Sequence, residues 1–238
     1  MEPPSPDIAA GSAGVAPVAS AHPRPVPADD LGEAASQFLA HVGPRVLLAQ
    51  TVALWALRSR DRRVDRIDVA TAVGVVAWWP LMEWLAHRWI LHARPGTVAG
   101  RTVDLRVARH HRAHHLDPWN PELTLLPTWF LAAAVPLHVA LWALVWRDRR
   151  RALTAMACTS TATLAYEWTH FLTHTALRPK GRWYRTLQRR HRLHHFKDEH
   201  LWLGFTVPWV DDLLGTAPDP ATVAVSPTAR TLGVEVDR

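Results

Sequence analysis

The pattern of apolar and polar positions divides the chain into four apolar stretches separated by polar connections. The stretches run over residues 46–57, 69–86, 123–146 and 152–172. The third carries no charge and exceeds the roughly 20 residues that a helix needs to cross a bilayer. The first is short and contains Gln50, which favours a bent or half-spanning segment. The pattern predicts an all-α fold, an integral membrane four-helix bundle made of two hairpins.

The connections between the stretches differ in composition. Residues 58–66 and 147–151 are short, rich in arginine and free of histidine, whereas residues 87–121 and 170–200 are long and rich in histidine. If every stretch crosses the bilayer, all of the histidine-rich segments fall on one membrane face. The sequence therefore predicts a histidine-rich helical region that caps the bundle on that face.

The two ends of the chain differ from this central part. Residues 1–36 are rich in Pro, Ala, Gly and Ser and have no apolar period, so we expect a disordered tail. This tail has neither the basic start nor the apolar core of a secretory signal. We expect residues 37–217 to form one membrane domain, the catalytic unit, and residues 218–238 to form a flexible C-terminal tail.

Charge and cysteine content narrow the partners and the metal ligands. The net charge of +6 and the pI near 10.6 come almost entirely from arginine. The arginines flank apolar stretches and no nucleic-acid-binding signature is present, so we expect lipid headgroups and no nucleic acid as partners. Cys158 is the only cysteine in the sequence, which excludes an internal disulfide and a thiolate cage. A bound metal must therefore be held by nitrogen or oxygen.

Ten histidines form four clusters with the spacings of metal ligands. The clusters, in chain order, are His87 and His92; His111, His114 and His115; His170 and His174; and His191, His194 and His195. Residues three and four apart share one side of an α-helix, so each triplet is expected to converge. Neutral imidazole is a good ligand for iron, zinc, copper or nickel, and ten imidazoles exceed the needs of one ion. The clusters therefore predict two bound metal ions.

The other five histidines do not fit these patterns. We expect His22, His41, His138 and His200 to be ordinary polar groups. The role of His110 stays open, because this residue adjoins the first triplet but breaks its spacing.

Two acidic residues lie within apolar stretches beside the clusters. Glu83 precedes His87 by one helical turn, and Glu167 precedes His170 by three residues. An ionisable group at membrane depth is costly and is therefore a functional candidate. Carboxylates often accept the second N–H of a metal-bound imidazole, so we expect this role for both, with a charge that reaches water at a helix end as the alternative.

At these residues the chain resembles the fatty acid hydroxylase and sterol desaturase superfamily, and most closely its fatty acid 2-hydroxylase branch. The four histidine patterns occur there in the same order, with a tyrosine before the third cluster, here Tyr166, and an aromatic residue inside it, here Phe171. After the last triplet the match continues through Gly204, Thr206, Asp211, Gly215 and Thr216. The resemblance covers about residues 67–216.

The resemblance implies that the ten clustered histidines bind two iron ions, with zinc as a possible substitute after expression. The irons would activate dioxygen to attack an unactivated C–H bond. Asp198 stands where relatives often have asparagine, so its carboxylate is a third candidate to support the metal-bound imidazoles. Eukaryotic relatives carry an N-terminal cytochrome b5 domain, and nothing in this sequence resembles one. We therefore expect an external electron donor of the ferredoxin or cytochrome type.

The leading prediction is a membrane-bound enzyme that hydroxylates the acyl chain of a membrane lipid, because the Gly204–Thr216 match favours that branch. A carotenoid ring hydroxylase and a sterol or lipid desaturase are the alternatives among enzymes. A catalytically inert metal-binding or metal-transporting membrane protein is the alternative from another class.

Two arguments about membrane orientation oppose each other. The short arginine-rich loops favour histidines outside the cell, whereas the larger number of basic residues near the histidines and the cytoplasmic supply of electrons favour the opposite. We expect a multi-pass protein of the cell membrane with its histidines facing the cytoplasm.

Overall fold

The computed structural model describes residues 21–22, 24–178 and 180–234, and these residues are mainly α-helical. The elements in chain order are α1 (Leu31–Ala40), α2 (Val42–Ser59), α3 (Arg66–Ala86), a π-helical turn (His87–Leu91), β1 (Gly96–Val98), β2 (Arg101–Val103), α4 (Arg106–Leu116), α5 (Pro121–Thr124), α6 (Thr128–Val145), α7 (Arg149–Thr173), α8 (Arg182–Phe196), α9 (Trp209–Leu213) and a 3₁₀ turn (Pro220–Thr222). The two strands form an antiparallel hairpin in which Thr97 lies opposite Thr102. The prediction of a mainly helical fold is confirmed.

Helix α7 is the element against which the other long helices pack. It contacts α2, α3 and α6, and its first half is buried against Leu54 of α2 and Trp142 of α6. Thr51 and Ser160 share a hydrogen bond of 2.8 Å that joins α2 to α7. The four predicted apolar stretches correspond to these four helices. A closed four-helix bundle goes beyond these contacts and stays a prediction.

Two of the described helical segments are long and apolar enough to cross a membrane. They are Arg66–Leu91, with 26 residues, and Pro121–Val145, with 25 residues. Large apolar side chains on both segments face outward, including Val73 at 61% exposure and Leu137 at 69% exposure. Such outward-facing apolar surface suits contact with lipid.

Ion pairs fix the ends of α2, α3 and α7 that lie away from the histidines. Asp65 caps α3 by accepting hydrogen bonds from the backbone N–H groups of Ile67 and Asp68, and its carboxylate also pairs with Arg150. The buried carboxylate of Asp68 lies 3.2 Å from Arg150 and 3.5 Å from Arg58. These contacts align α3 and α7 so that both helices end at histidine clusters.

A π-helical turn brings the first histidine pair together. Residues five apart do not share a face on a regular α-helix, because 3.6 residues complete one turn. The backbone N–H of His92 donates to the carbonyl of His87 at 3.2 Å, which is the i to i+5 bond of a π-turn. The two Nε2 atoms consequently lie 3.1 Å apart.

Parts of both predicted tails contact the helical part of the chain. Residues 1–20 lie outside the described residues, but Val26 exchanges backbone hydrogen bonds with His174 and Ala176, and α1 buries Phe38 against Phe171. The described part of the predicted flexible tail at 218–238 also makes such contacts. Within it, residues 226–232 pack against α4 and the segment that follows α8. The expected disorder of residues 1–36 and flexibility of residues 218–238 stay predictions, which rest on the lack of an apolar period in both segments.

Candidate metal centre

Four elements carry the ten clustered histidines to one place. The π-turn after α3 supplies one pair, the end of α7 supplies another, and α4 and α8 supply one triplet each. Nine of the ten side chains are buried, and His92 is half-buried. No other part of the described chain concentrates so many imidazoles.

The imidazoles form two groups of five, and within each group the nitrogen atoms that face one another lie within 4.8 Å. The first group consists of His87, His92, His111, His115 and His194. The second group consists of His114, His170, His174, His191 and His195.

The grouping corrects the expectation that each triplet converges on one point. Helix α4 sends His111 and His115, four residues apart, to the first group and His114 to the second. Helix α8 does the reverse, since His191 and His195 join the second group and His194 joins the first. Each triplet is therefore divided between the groups, and each group draws on both helices.

Backbone carbonyls orient three imidazoles of the first group. The Nδ1 atoms of His87, His115 and His194 donate to the carbonyl oxygens of Leu203, Ala229 and Leu201 at 2.7, 2.9 and 2.9 Å, respectively. Because Nδ1 carries the proton in each ring, Nε2 presents a lone pair to the centre of the group. This use of a carbonyl on the far nitrogen is typical of metal-binding histidines.

The inward nitrogen atoms of the first group lie closer together than neutral acceptors favour. His87 Nε2 lies 3.1 Å from His111 Nε2, and His194 Nε2 lies 3.2 Å from His115 Nε2. With metal–nitrogen bonds of about 2.0–2.1 Å, neighbouring ligand nitrogens are separated by about 3 Å. The observed separations therefore fit a shared cation.

The second group has the same spacing and more nitrogen atoms without partners. His174 Nε2 lies 3.3 Å from His170 Nε2 and 2.7 Å from His191 Nε2, and His195 Nε2 lies 3.0 Å from His191 Nε2. Among the described residues, both ring nitrogens of His114 are buried without a hydrogen-bond partner. Buried polar atoms are normally paired, so these orphaned nitrogens also fit a metal ion.

Burial keeps these imidazoles neutral at physiological pH. Burial first, and neighbouring imidazoles second, lower the pKa of His111, His114 and His191 well below the ordinary value. Burial also lowers the pKa of His194 to about 4. Only the neutral ring has a lone pair for a metal, so both groups have the protonation state that a transition metal requires.

The three acidic candidates have partners other than the predicted imidazoles. Glu83 accepts hydrogen bonds from the backbone N–H groups of Phe205 and Thr206 and from the Thr206 hydroxyl. Glu167 accepts from the backbone N–H of Leu126 at 3.0 Å, and Asp198 accepts from that of His200 at 2.8 Å. For His87, His115 and His194, backbone carbonyls accept the second ring N–H, because segments that follow α8 pass directly over these rings. Support of the other imidazoles by the three carboxylates stays a prediction.

The segment 201–216 was visible in the sequence only as a family match, and the structure shows its physical role. Asp211 accepts hydrogen bonds from the backbone N–H groups of Leu203 and Gly204 and from the Thr216 hydroxyl. These bonds fix the loop whose Leu203 carbonyl orients His87. A Cβ atom at Gly204 would lie 2.9 Å from Val210 Cγ1, so only glycine fits there.

The remaining histidines lie outside both groups. His22 pairs with Asp117, His41 with Glu122 and His138 with Gln50. His200 lies 3.6 Å from Glu199, a buried carboxylate that sequence reasoning did not single out. His110 joins neither group, and it lines a small cavity beside His111 and His170.

An apolar cavity leads toward the two groups. It has a volume of about 300 Å³ and lies between α2, α3, α6 and α7. Phe205 lines its inner end and packs against both groups, with ring centroids 4.3 Å from His87 and 4.7 Å from His170. A second cavity of about 60 Å³ shares Tyr166 with the first and touches both His111 and His170.

The fold and the paired histidine groups define a helical protein with two adjacent candidate metal sites and an apolar access cavity. A model of the fatty acid hydroxylase family matches residues 72–216, which is more than half of the chain. The chain therefore belongs to the fatty acid hydroxylase family, as the resemblance predicted.

Two curated relatives match over a similar length of chain. The dihydroceramide fatty acyl 2-hydroxylase FAH2 of Arabidopsis thaliana is 27% identical over 168 residues, covering 67% of this chain and 65% of the relative. The ceramide very long chain fatty acid hydroxylase SCS7 of Saccharomyces cerevisiae is 28% identical over 152 residues, covering 62% of this chain and 38% of the relative. The chain thus spans less than two thirds of the length of either relative.

A solved structure shares the fold. Full-length Scs7p, in which only the hydroxylase domain is visible, matches with a TM-score of 0.61 at 23% identity, covering 78% of this chain and 69% of that chain. At this identity the likeness shows a common fold.

Proposed function

We propose that this protein is a membrane-bound di-iron oxygenase that hydroxylates the acyl chain of a membrane lipid with dioxygen and electrons from an external donor. The observation that carries the proposal is an apolar cavity lined at its inner end by Phe205, which packs against both histidine groups, with an adjoining small cavity lined by His111 and His170. Membership of the fatty acid hydroxylase family and the names of the two relatives support the same activity.

The shape and lining of the cavity favour a hydrocarbon chain as substrate. Met82 of α3 and Leu131 and Val135 of α6 line its outer part. Apolar pockets of this kind bind ligands by burial of their apolar surface, and their few polar groups set orientation. Leu126 and Tyr166 border both cavities, so a chain that enters between the helices would lead to His111 and His170, one from each group.

Two iron ions, one in each group of five histidines, would supply the activation of dioxygen that attack on an unactivated C–H bond requires. The protein's own residues provide the metal ligands and the surroundings of the reacting carbon. Burial keeps the imidazoles neutral and able to bind metal, and Phe205 closes the space between the groups and the cavity. The apolar walls exclude water from the reacting carbon. Iron is chosen over zinc because zinc has no redox chemistry.

The membrane arrangement follows from the same elements. We propose that α3 and α6 cross the bilayer, with α2 and α7 packed beside them, and that the histidine groups face the cytoplasm. The first pair follows α3 directly and the pair at His170 and His174 ends α7, so the metals would lie near the headgroup level. A membrane lipid would then present carbons close to its polar end, which agrees with the 2-hydroxylase named among the relatives.

The test is conversion of a lipid by the purified full chain with iron, labelled dioxygen and a chemical reductant. We expect a product heavier by one oxygen, with that atom drawn from dioxygen. Ala134→Trp fills the cavity and should abolish the product while both metals stay bound. Leu137→Trp, on the exposed side of the same helix, is the matched control and should keep full activity.

Other products would assign other reactions. A lipid lighter by two hydrogens would indicate desaturation, and ring hydroxyls on a carotenoid with unchanged acyl lipids would indicate a carotenoid hydroxylase. Bound metals without any product under a competent reductant would favour an inert metal-binding protein.

A further inference from the structure

A basic groove lies on the outer side of α8, the helix whose inner side carries three of the clustered histidines. It has a volume of about 740 Å³, and its lining includes Arg178, Arg185, Arg189, Arg192, Lys197 and Phe196. Within the described residues, Arg178, Arg185 and Arg189 are exposed and have no carboxylate partner. By contrast, Arg190 of the same helix is paired with Asp212 at 2.7 Å. The unpaired arginines therefore leave a concentrated positive charge at this surface.

The groove also contains the outer end of a chain of aromatic contacts that leads to the second histidine group. Phe196, which is 40% exposed, stacks on Trp119 with ring centroids 5.6 Å apart. Trp119 in turn contacts His174 at 5.7 Å. Phe196 also adjoins His195 in the chain, with ring centroids 6.2 Å apart. The surface of the groove is thus separated from the second group by one layer of aromatic side chains.

The proposed hydroxylation needs such an entry point for electrons. The reaction converts a C–H bond, one dioxygen molecule, two electrons and two protons into a C–OH group and one water molecule. The two electrons reduce the second oxygen atom to water. The proposed function takes them from a separate carrier, which must approach the histidine groups closely.

We propose that the basic groove on α8 is the docking surface for an acidic one-electron carrier protein. Charge complementarity would guide the carrier to the arginines, and the concave surface would receive a protruding edge of its structure. The flat surface of a lipid headgroup layer, as the alternative occupant, would neither fill the concave groove nor make use of the aromatic contacts to His174. This proposal rests on the proposed function for the need for electrons, while its test measures binding independently of turnover.

The test uses the full chain in uncharged detergent and an acidic plant-type [2Fe–2S] ferredoxin as the probe. We expect saturable binding that weakens as salt rises, because exposed charges are screened beyond about 10 Å at 0.1 M salt. Arg185→Glu with Arg189→Glu should raise Kd by roughly tenfold or more, since two attractions become repulsions. A basic cytochrome c should not bind.

A matched control reverses the charge of two exposed arginines at the other end of the molecule. Arg60→Glu with Arg62→Glu lies in the loop between α2 and α3 and should leave Kd for the ferredoxin unchanged. Turnover separates this proposal from the proposed function. The α8 variant should retain product formation with dithionite and lose it with reduced ferredoxin.

Three results would overturn the proposal. The first is ferredoxin binding that is insensitive to salt, and the second is an equal effect of both double variants. The third is unchanged ferredoxin binding together with loss of copurified anionic phospholipid from the α8 variant, which would assign the arginines to lipid headgroups. If the wild type forms no product even with dithionite, the proposed function fails, while the binding result still decides the docking surface.

Discussion

The C-terminal segment 226–232 should control metal binding at the first histidine group. Its Ala229 carbonyl accepts the Nδ1–H of His115 at 2.9 Å. Arg230 donates from Nε to the backbone carbonyl of His115 at 2.7 Å, and from its terminal nitrogen to that of Leu116. The segment lies beyond residue 216, where the family match ends. These contacts therefore connect a segment outside the family match to His115, a candidate metal ligand.

The expected loss of affinity follows from these contacts. Without the segment, His115 loses one hydrogen bond, at about 0.5–1.5 kcal/mol. Its freed ring must also be ordered when metal binds, at about 0.5–1.5 kcal/mol. Together these terms weaken binding at the first group by about 1–3 kcal/mol, or roughly 5- to 150-fold. This range includes the 10- to 100-fold typical of lost partners of metal-binding side chains.

The assay is competition between the purified protein and a chelator for metal, read as the number of ions bound and their affinities. Ending the chain after Val225 should weaken one site and leave the other unchanged. Arg230→Ala should have a smaller effect in the same direction. Because this variant keeps the full chain, it distinguishes loss of the contacts from misfolding of the truncated protein. Arg62→Ala, an exposed arginine far from both groups, is the control. The reasoning would be refuted if the truncated protein and Arg230→Ala both bound metal at the two sites with the same affinities as the wild type.

Three further predictions follow from the site and the membrane arrangement. Wild-type protein should bind two metal ions per chain by elemental analysis, and His194→Ala should remove at least one; a single ion that survives this change would exclude two sites. Gly204→Ala should lower the free energy of unfolding by about 1–3 kcal/mol in denaturant titrations, because its Cβ would overlap Val210, and unchanged stability would contradict the tight packing. A cysteine at Ser59 should react with an impermeant reagent outside intact cells while one at Thr186 should not, and the reverse labelling would place the histidines outside.

The sequence predicted the helices and the ligand types because these depend on local patterns. Each long apolar stretch became one of the helices α2, α3, α6 and α7. The three- and four-residue histidine spacings did put imidazoles on the inner sides of α4 and α8, as helical geometry requires. Cysteine content by itself limited the candidate ligands to nitrogen and oxygen, because a single thiol cannot build a thiolate cage.

Which imidazoles meet was decided by tertiary structure. The placement of α4 and α8 around the two groups separates His114 from His111 and His194 from His191, and sequence spacing carries no information about that placement. The π-turn at His87 was equally invisible, because nothing in the residue types distinguishes it from a regular helical turn.

The groups that orient the imidazoles were also beyond sequence reasoning. The sequence pointed to the carboxylates of Glu83 and Glu167, which are recognisable residues in apolar surroundings. At His87, His115 and His194, the structure uses the carbonyls of Leu203, Ala229 and Leu201. Every residue has a backbone carbonyl, so no residue type marks the ones that are used. Only the path of the folded chain determines which carbonyl lies beside an imidazole nitrogen.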